Sequence, residues 1–235
     1  MIQLKAAADP WPPYIDETHP AGGVAVELAD AALRTQGYAV RNRIMPWARA
    51  LEETRAGRND LILDAWWSEE RSLSFVYSMP LLDGPLKFIH HKNQPFKYVD
   101  FSSLEGKSIG LVRNYAYGDD FMKLKNYRKV DITELMQGIQ MLALNRIDLA
   151  IENELVAKTR IQKEAPDLLP KLVFVEPEVS NNYIYVIAGL EHPRYMEMIK
   201  AFNQGLITIL KNGTYRKILN NHHLAVPDMF KEKAQ

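Results

Sequence analysis

Arg71 is the side chain in this sequence whose type and surroundings are best suited to hold a small anion. It follows two adjacent tryptophans, Trp66 and Trp67, and a short apolar run at residues 61–63. A guanidinium group presents a rigid fork of donors that fits a carboxylate, and tryptophan rings can enclose the apolar or flat part of a ligand. The stretch therefore predicts a binding site for a small anionic compound.

Ser68 stands three residues before Arg71 and is followed directly by charged residues, a pattern typical of a helix cap and the first turn of a short helix. Such a turn would place the arginine just after the strand that the apolar pattern predicts over residues 61–66. The alternative is an exposed arginine that pairs with Glu69 or Glu70, since most charged side chains are solvated.

Trp11, Tyr14 and Trp47 stand in two other loops and are candidates for the walls of the same site. Trp11 is flanked by prolines, which stiffen a loop, and this makes it a poor core position. Core packing is the alternative for all of these aromatic side chains. Successive residues of a strand point to opposite faces, so one of the two adjacent tryptophans should face the site and the other the core, and the register favours Trp66 for the site.

The composition excludes several classes of function. Of the 235 residues, 29 are Lys or Arg, 29 are Asp or Glu, and none is cysteine. A net charge of zero without a basic stripe argues against nucleic acid or a membrane surface as partner, and the lack of cysteine excludes disulfides and thiolate metal sites. His90-His91 and His222-His223 are adjacent pairs whose side chains diverge, so we predict no metal site. We predict no cofactor and no catalytic residue.

Strands and helices alternate in two blocks of the chain. In the first block the pattern predicts strands at residues 2–8, 38–44 and 61–66 and helices at 24–36 and 46–56. In the second block it predicts strands near residues 108–112, 129–132, 148–152 and 172–175, with helices from 119, over 134–145 and over 153–165. This alternation is typical of a parallel sheet covered by helices.

Extended segments near residues 84–90 and 183–188 join the two blocks, and two more helices follow Pro193. A separate extended run is predicted at residues 75–80. We therefore expect an α/β protein with two lobes, each a mostly parallel sheet with covering helices, joined by two crossover strands. The expected lobes are residues 1–85 with 188–235, and residues 86–187.

Four segments resemble, in order, the extracytoplasmic solute-binding proteins of family 3. In that family a strand is followed by Thr-x-x-Arg and then by Phe-Ser-x-Pro-Tyr. The matching segments here are the aromatic loop from Trp11 to Tyr14, Ser68-Glu69-Glu70-Arg71 with Tyr77-Ser78-Met79-Pro80-Leu81, residues 104–111, and residues 146–151. The resemblance covers nearly the whole chain and implies the two-lobed, class II-like fold of periplasmic binding proteins.

The resemblance also implies roles for individual residues. Arg71 would hold the ligand carboxylate, and Trp47 stands where the family often has a second stacking aromatic residue. Asn114 and Tyr115 would grip the carboxylate from the second lobe, at a strand end that opens a helix.

Asn153 occupies the position at which amino-acid binders carry an aspartate for the α-ammonium group. Glu152 lies one residue away and should face the other side of its strand. Trp66 falls where the family commonly has a small hydroxyl residue. A neutral amide is a weaker partner for an ammonium group than a carboxylate, so we expect that ordinary L-α-amino acids are not the best ligands.

The function implied by the resemblance is capture of a small anionic or zwitterionic, amino-acid-like solute by closure of the lobes. The protein would be a periplasmic monomer, without a visible signal peptide, that serves an ABC permease in the inner membrane. Two alternatives stay open. One is a ligand-binding module of a sensor or receptor, and the other is an enzyme similar to cyclohexadienyl dehydratases, for which Glu152 is the candidate acid.

Overall fold

The computed structural model describes residues 1–231, and residues 232–235 of the first expected lobe lie outside the described part. The chain divides into two compact units. Unit 1 contains Met1–Asp83 and the chain from Tyr183 onward, and unit 2 contains Gly84–Asn182. These boundaries lie two and five residues earlier than those expected from the sequence.

Unit 1 begins with alternating strands and helices, as the pattern predicts. The elements are β1 (Ile2–Ala8), α1 (Val24–Arg34), β2 (Tyr38–Ile44), α2 (Trp47–Arg55), β3 (Ile62–Trp66) and the short α3 (Glu69–Ser72). Strand β1 pairs with β2 in parallel, and Ala6 forms a parallel bridge to Leu61 just before β3. The chain returns to unit 1 for α7 (Tyr195–Lys211) and α8 (Thr214–Asn221).

Unit 2 repeats this alternation. Its elements are β5 (Ser108–Val112), α4 (Asp119–Lys123), β6 (Arg128–Ile132), α5 (Leu135–Ala143), β7 (Leu149–Asn153), α6 (Glu154–Glu164) and β8 (Leu172–Phe174). Strand β5 lies between β6 and β7 and is parallel to both. All five residues of β5 are buried, as expected for a strand covered on both faces.

Two strands contain residues of both units. These are β4 (Phe75–His91) and β9 (Ser180–Gly189), the crossover strands that the sequence predicts. Within unit 2, β4 pairs antiparallel with β7 and β8, and within unit 1, β9 pairs antiparallel with β3. The extended runs predicted at residues 75–80 and 84–90 both lie in β4, which is continuous through Pro80 and Pro85. A proline removes only its own N–H from a ladder, so an extended strand can accommodate both.

Helix α1 packs closely on α7 in unit 1, and a glycine sets the distance between them. A Cβ atom built on Gly205 would lie 2.0 Å from the carbonyl oxygen of Ala32. The C-terminal helix α8 also packs on α1 and α7, and the hydroxyl of Tyr215 donates to the carbonyl oxygen of Leu81 at 2.7 Å. These contacts join the C-terminal helices to the core of unit 1.

We predict that Gly205→Ala lowers the free energy of unfolding by about 1–3 kcal/mol, because the new methyl group meets backbone that cannot move aside. Gly138→Ala in α5 is the matched control, since its Cβ atom would meet the end of a flexible side chain, Ile132 Cδ1, at 2.8 Å. Urea denaturation followed by circular dichroism compares the two variants. Equal losses of unfolding free energy in the two variants would contradict the prediction that the close approach of α1 to α7 makes Gly205→Ala the more destabilising change.

Candidate functional site

Arg71 is held in unit 1 by contacts of its backbone and of its guanidinium group. Ser68 caps α3, and its hydroxyl oxygen accepts a hydrogen bond from the backbone N–H of Arg71 at 3.1 Å. The guanidinium group donates through Nη1 to the carbonyl oxygen of Trp66 at 2.6 Å. Its central carbon lies 5.3 Å from the ring centroid of Trp47, within the range of a cation–π contact. The short capped helix predicted from the sequence is present and orients the arginine.

Trp11, Tyr14 and Trp66 form an aromatic cluster in the same unit. The rings of Trp11 and Tyr14 stack with centroids 4.7 Å apart, and Trp66 meets Trp11 edge to face at 5.3 Å. Trp66 is 5% exposed, whereas Trp67 is 47% exposed. Trp66 therefore joins the cluster, while its neighbour Trp67 points to solvent.

The loop that carries Trp11 and Tyr14 is fastened to the start of α1. The backbone N–H of Val24 donates to the carbonyl oxygen of Pro13, and that of Ala25 donates to Tyr14, both at 3.0 Å. These bonds satisfy N–H groups that have no partner within the helix. Gly23 has φ +103°, and a Cβ atom there would lie 2.3 Å from the oxygen of Tyr14, so only glycine allows this approach.

Tyr77 contacts the arginine site, which the sequence analysis did not predict. Its hydroxyl donates to the carbonyl oxygen of Trp66 at 3.4 Å, and its ring meets Tyr185 edge to face at 5.5 Å. Burial raises the pKa of Tyr77, and the charge of Arg71 opposes that shift. Tyr77 is the first residue of the segment Tyr77-Ser78-Met79-Pro80-Leu81 that resembles the family motif. The position of Tyr77 in that segment does not indicate the direction of its side chain.

Asp64 is the second side chain of the site that the sequence analysis missed. It lies inside β3, within the strand predicted over residues 61–66, at the place where the pairing register with β9 shifts between Ile62 and Ala65. It is 6% exposed, and its Oδ1 accepts no hydrogen bond from any protein group of residues 1–231. Burial raises the pKa of Asp64 well above its ordinary value, with a further contribution from Asp9, and the guanidinium of Arg71 opposes the shift.

In unit 2, Asn114 and Tyr115 lie on the loop between β5 and α4. Asn114 has φ +64°, a left-handed conformation that asparagine adopts more readily than most residues. Helix α4 begins only at Asp119, and its first turn contains two aspartates. The predicted helix start near residue 119 is confirmed, and Asn114 and Tyr115 lie in the six-residue connection, residues 113–118, between β5 and α4.

Glu152 and Asn153 end β7, and each is 1% exposed. Asn153 caps α6: its Oδ1 accepts from the backbone N–H of Val156 at 3.1 Å, and its Nδ2 donates to the carbonyl oxygen of Pro85 at 3.3 Å. An oxygen of Glu152 accepts from the backbone N–H of Asn153 at 2.8 Å. The amide of Asn153 thus joins β7, α6 and the crossover strand β4 within unit 2.

The predicted residues fall into two sets, one in each unit. Ring contacts and hydrogen bonds connect residues of the unit 1 set, which is Trp11, Tyr14, Trp47, Trp66, Ser68 and Arg71. The unit 2 set lies at two places, with Asn114 and Tyr115 after β5 and Glu152 and Asn153 at the end of β7. Within residues 1–231, no helix has the length and apolar character needed to cross a membrane.

Residues 4–225 match the family described as bacterial extracellular solute-binding proteins, family 3. The chain belongs to this family. The match contains every residue of the two sets, so the solute-binding family assignment made from the four sequence segments is confirmed. No curated protein sequence matches the chain.

Solved structures show the same fold as this family 3 protein. A histidine kinase sensor domain similar to periplasmic binding proteins has a TM-score of 0.81 at 21% identity, and the alignment covers 94% of each chain. The L-arginine-bound amino acid ABC transporter substrate-binding protein AbpA of Streptococcus pneumoniae has a TM-score of 0.74 at 21% identity, covering 99% of this chain and 96% of its own. A mutant of the T. maritima protein ArgBP has a TM-score of 0.76 at 19% identity, covering 94% and 93%. The two-lobed periplasmic binding protein fold is confirmed.

The raised pKa of Asp64 predicts a pH-dependent contribution of this residue to stability. A raised pKa in the folded state means that the native protein holds this proton more tightly than the unfolded chain does. The contribution of Asp64 is then largest below the ordinary aspartate pKa of about 4 and is lost as the pH rises from there through the folded-state pKa.

We predict that Asp64→Asn becomes progressively more stable relative to the wild type between about pH 4 and pH 8, because asparagine never carries the buried charge. Urea denaturation across this range provides the measurement. Asp167→Asn, at a side chain that is 76% exposed, is the control and should show little such trend. A pH-independent difference at position 64 would contradict the raised pKa.

Proposed function

We propose that this protein captures a small anionic or zwitterionic, amino-acid-like solute in the periplasm and delivers it to an ABC permease. The observation that carries the proposal is the arrangement around Arg71, whose guanidinium is fixed by the carbonyl oxygen of Trp66 and the ring of Trp47. We propose a binding function as a monomer, with no catalytic step, no cofactor and no nucleic acid.

The electrostatics of unit 1 support an anionic ligand. Burial lowers the pKa of Arg71, which reflects the unfavourable free energy of holding a cation away from water. Burial also favours the neutral form of the adjacent Asp64, so this carboxyl group offsets the arginine charge only weakly. A bound carboxylate would supply a counter-charge in the planar, two-point geometry that suits a guanidinium group.

The aromatic cluster supports a ligand with a flat or apolar part. Trp11, Tyr14 and Trp66 are all buried and pack on one another, and the backbone of Trp66 contacts the arginine. Aromatic walls lower the local dielectric and strengthen a charge pair beside them. They also provide contact area to a ring or an alkyl chain.

Unit 2 would contribute the remaining contacts, through Asn114, Tyr115, Glu152 and Asn153. The chain passes between the units twice, on β4 and β9, and closure about such crossovers is a common way for two-lobed binding proteins to bury a ligand. The expected lobes, residues 1–85 with 188–235 and residues 86–187, remain our proposal for the moving parts.

A sensor module is the second candidate, because the histidine kinase sensor domain has a TM-score of 0.81 to this chain. A binding site of this type suits import and sensing equally, since the fold does not determine which partner protein recognises the ligand-bound form. Genes beside the coding sequence distinguish the two: a permease and an ATPase favour import, and a kinase favours sensing.

We predict that Arg71→Ala weakens solute binding by about 2–5 kcal/mol, because the buried anion of the ligand is left without its partner. A thermal-shift screen of amino acids, N-acylated amino acids and aromatic acids selects the solute, since a ligand at a hundred times its Kd adds about 2.7 kcal/mol of stability. Calorimetry then measures the affinity of each variant.

The control for this prediction is Arg216→Ala, which removes an exposed arginine of α8 in the same unit. It should bind the solute like the wild type. Arg71→Lys should fall between the wild type and Arg71→Ala, because an ammonium group keeps the charge but lacks the planar fork. Unchanged affinity in Arg71→Ala would remove this residue from the site and with it the basis of the proposal.

We also predict that the twenty standard amino acids bind the wild type less tightly than a carboxylate with a neutral group in place of the α-ammonium. Asn153→Asp should strengthen binding of standard amino acids by about 1.5–3 kcal/mol, the value of a hydrogen bond to a charged group. Aspartate is as good a helix cap as asparagine, so this variant keeps the cap of α6 while it adds a carboxylate and loses the hydrogen bond that Asn153 donates to Pro85.

Calorimetry of the wild type and Asn153→Asp with the same set of ligands checks this prediction. Sub-micromolar binding of a standard amino acid by the wild type, lost in Glu152→Gln and unchanged in Asn153→Asp, would show that Glu152 holds the ammonium group instead.

A further inference from the structure

His19, Glu27 and His222 come together in unit 1 from three separate elements. His19 lies on the loop before α1, Glu27 in the first turn of α1, and His222 directly after α8. One potential metal-ligating atom from each residue lies within 4.8 Å of the other two. The Nε2 atom of His222 is 2.7 Å from a carboxylate oxygen of Glu27, and the rings of His19 and His222 have centroids 4.6 Å apart.

A plain hydrogen bond explains only part of this arrangement. The contact between Glu27 and His222 would serve by itself to join α1 to the end of α8. That contact does not explain why the imidazole of His19 lies against the imidazole of His222. His19 adds no counter-charge to the pair formed by Glu27 and His222. Two imidazoles and one carboxylate whose potential ligand atoms lie within 4.8 Å of one another are a ligand set that zinc and similar divalent ions use.

The distances suit a metal ion after small side-chain movements. Zinc binds histidine nitrogen and carboxylate oxygen at about 2.0–2.2 Å, so neighbouring ligands of a tetrahedral site lie about 3.4 Å apart. The 2.7 Å distance between His222 Nε2 and the Glu27 carboxylate would lengthen on metal binding. The longer distances among the three ligand atoms, which are up to 4.8 Å, would shorten. His19 also accepts a hydrogen bond at Nδ1 from the backbone N–H of Ala21 at 3.2 Å, a long bond that the ring can exchange for a metal ligand.

Burial further favours ordered coordination at this position. The side chain of His222 is 5% exposed and that of Glu27 is 29% exposed. An ion held there would lose less of its attraction to solvent screening than one on an open surface. The sequence analysis excluded His222-His223 as a metal pair because adjacent side chains diverge, and that reasoning holds for the pair. It could not predict that His222 meets residues almost two hundred positions away, as its contact with Glu27 does.

We propose that His19, Glu27 and His222 form a binding site for Zn²⁺ or a chemically similar late first-row divalent cation, with water completing its coordination. The ion ties the loop that carries Trp11 and Tyr14 to α1 and to the end of α8. It therefore stabilises the segment that forms the aromatic cluster of unit 1. The site does not depend on the proposed solute-binding function.

The test uses the full chain without a polyhistidine tag, freed of metal with a chelator and then titrated with ZnCl₂ by calorimetry. We expect one ion per chain and a rise in Tm of about 5 °C or more at a hundredfold excess over the Kd. Addition of CoCl₂ should give the visible absorption of a low-symmetry, four- or five-coordinate cobalt site, a signal that a purely structural hydrogen bond cannot produce.

His222→Asn and Glu27→Gln should each weaken Zn²⁺ binding by about tenfold or more, because each removes one ligand. His223→Asn is the matched control: it makes the same substitution at the next residue, which is exposed and has φ +56°, and asparagine accepts that conformation. If His222→Asn does not fold, His19→Asn carries the same test from the loop. Absence of Zn²⁺ uptake by the wild type, or equal uptake by every variant, would overturn the proposal.

Discussion

The contact between the Arg71 guanidinium and the carbonyl oxygen of Trp66 is the interaction on which the candidate site depends. It requires β3 to end at Trp66 and the chain to turn at once, which the Ser68 cap achieves by holding the backbone N–H of Arg71. It also requires α2 to begin at Trp47, so that the indole ring lies against the guanidinium. The end of β3, the Ser68 cap and the start of α2 therefore together determine the direction of the Arg71 guanidinium group.

The surroundings of that charge explain why an anion would bind there. A buried cation is unfavourable unless a counter-charge accompanies it, and burial moves the nearby Asp64 toward its neutral form. Two members of the aromatic cluster, Trp11 and Tyr14, lie on a loop whose carbonyl groups complete the start of α1. Gly23 allows this close approach. Backbone hydrogen bonds thus hold these side chains of the proposed site in place, and preorganisation of this kind favours affinity.

The sequence predicts the parts of this account that depend on neighbouring residues. Ser68 and Arg71 are three positions apart, so the capped turn follows from local chemistry alone. Strand alternation separates Trp66, which packs in the aromatic cluster, from Trp67, which lies in solvent and not in the core. The features that the sequence does not predict come from long-range packing. Asp64 falls within the predicted strand, but the apolar pattern does not predict that its carboxyl group is buried and interacts with Arg71. The meeting of His222 with Glu27 likewise requires α8 to return to α1.

Native mass spectrometry of the protein purified from its host under non-denaturing conditions tests the central claim most directly. The account predicts one bound small molecule per chain that carries a carboxylate or a similar anionic group, present in the wild type and absent from the Arg71→Ala variant prepared in parallel. A bound solute without any anionic group, or one retained equally by the variant, would contradict the assignment of Arg71 as the residue that holds the ligand.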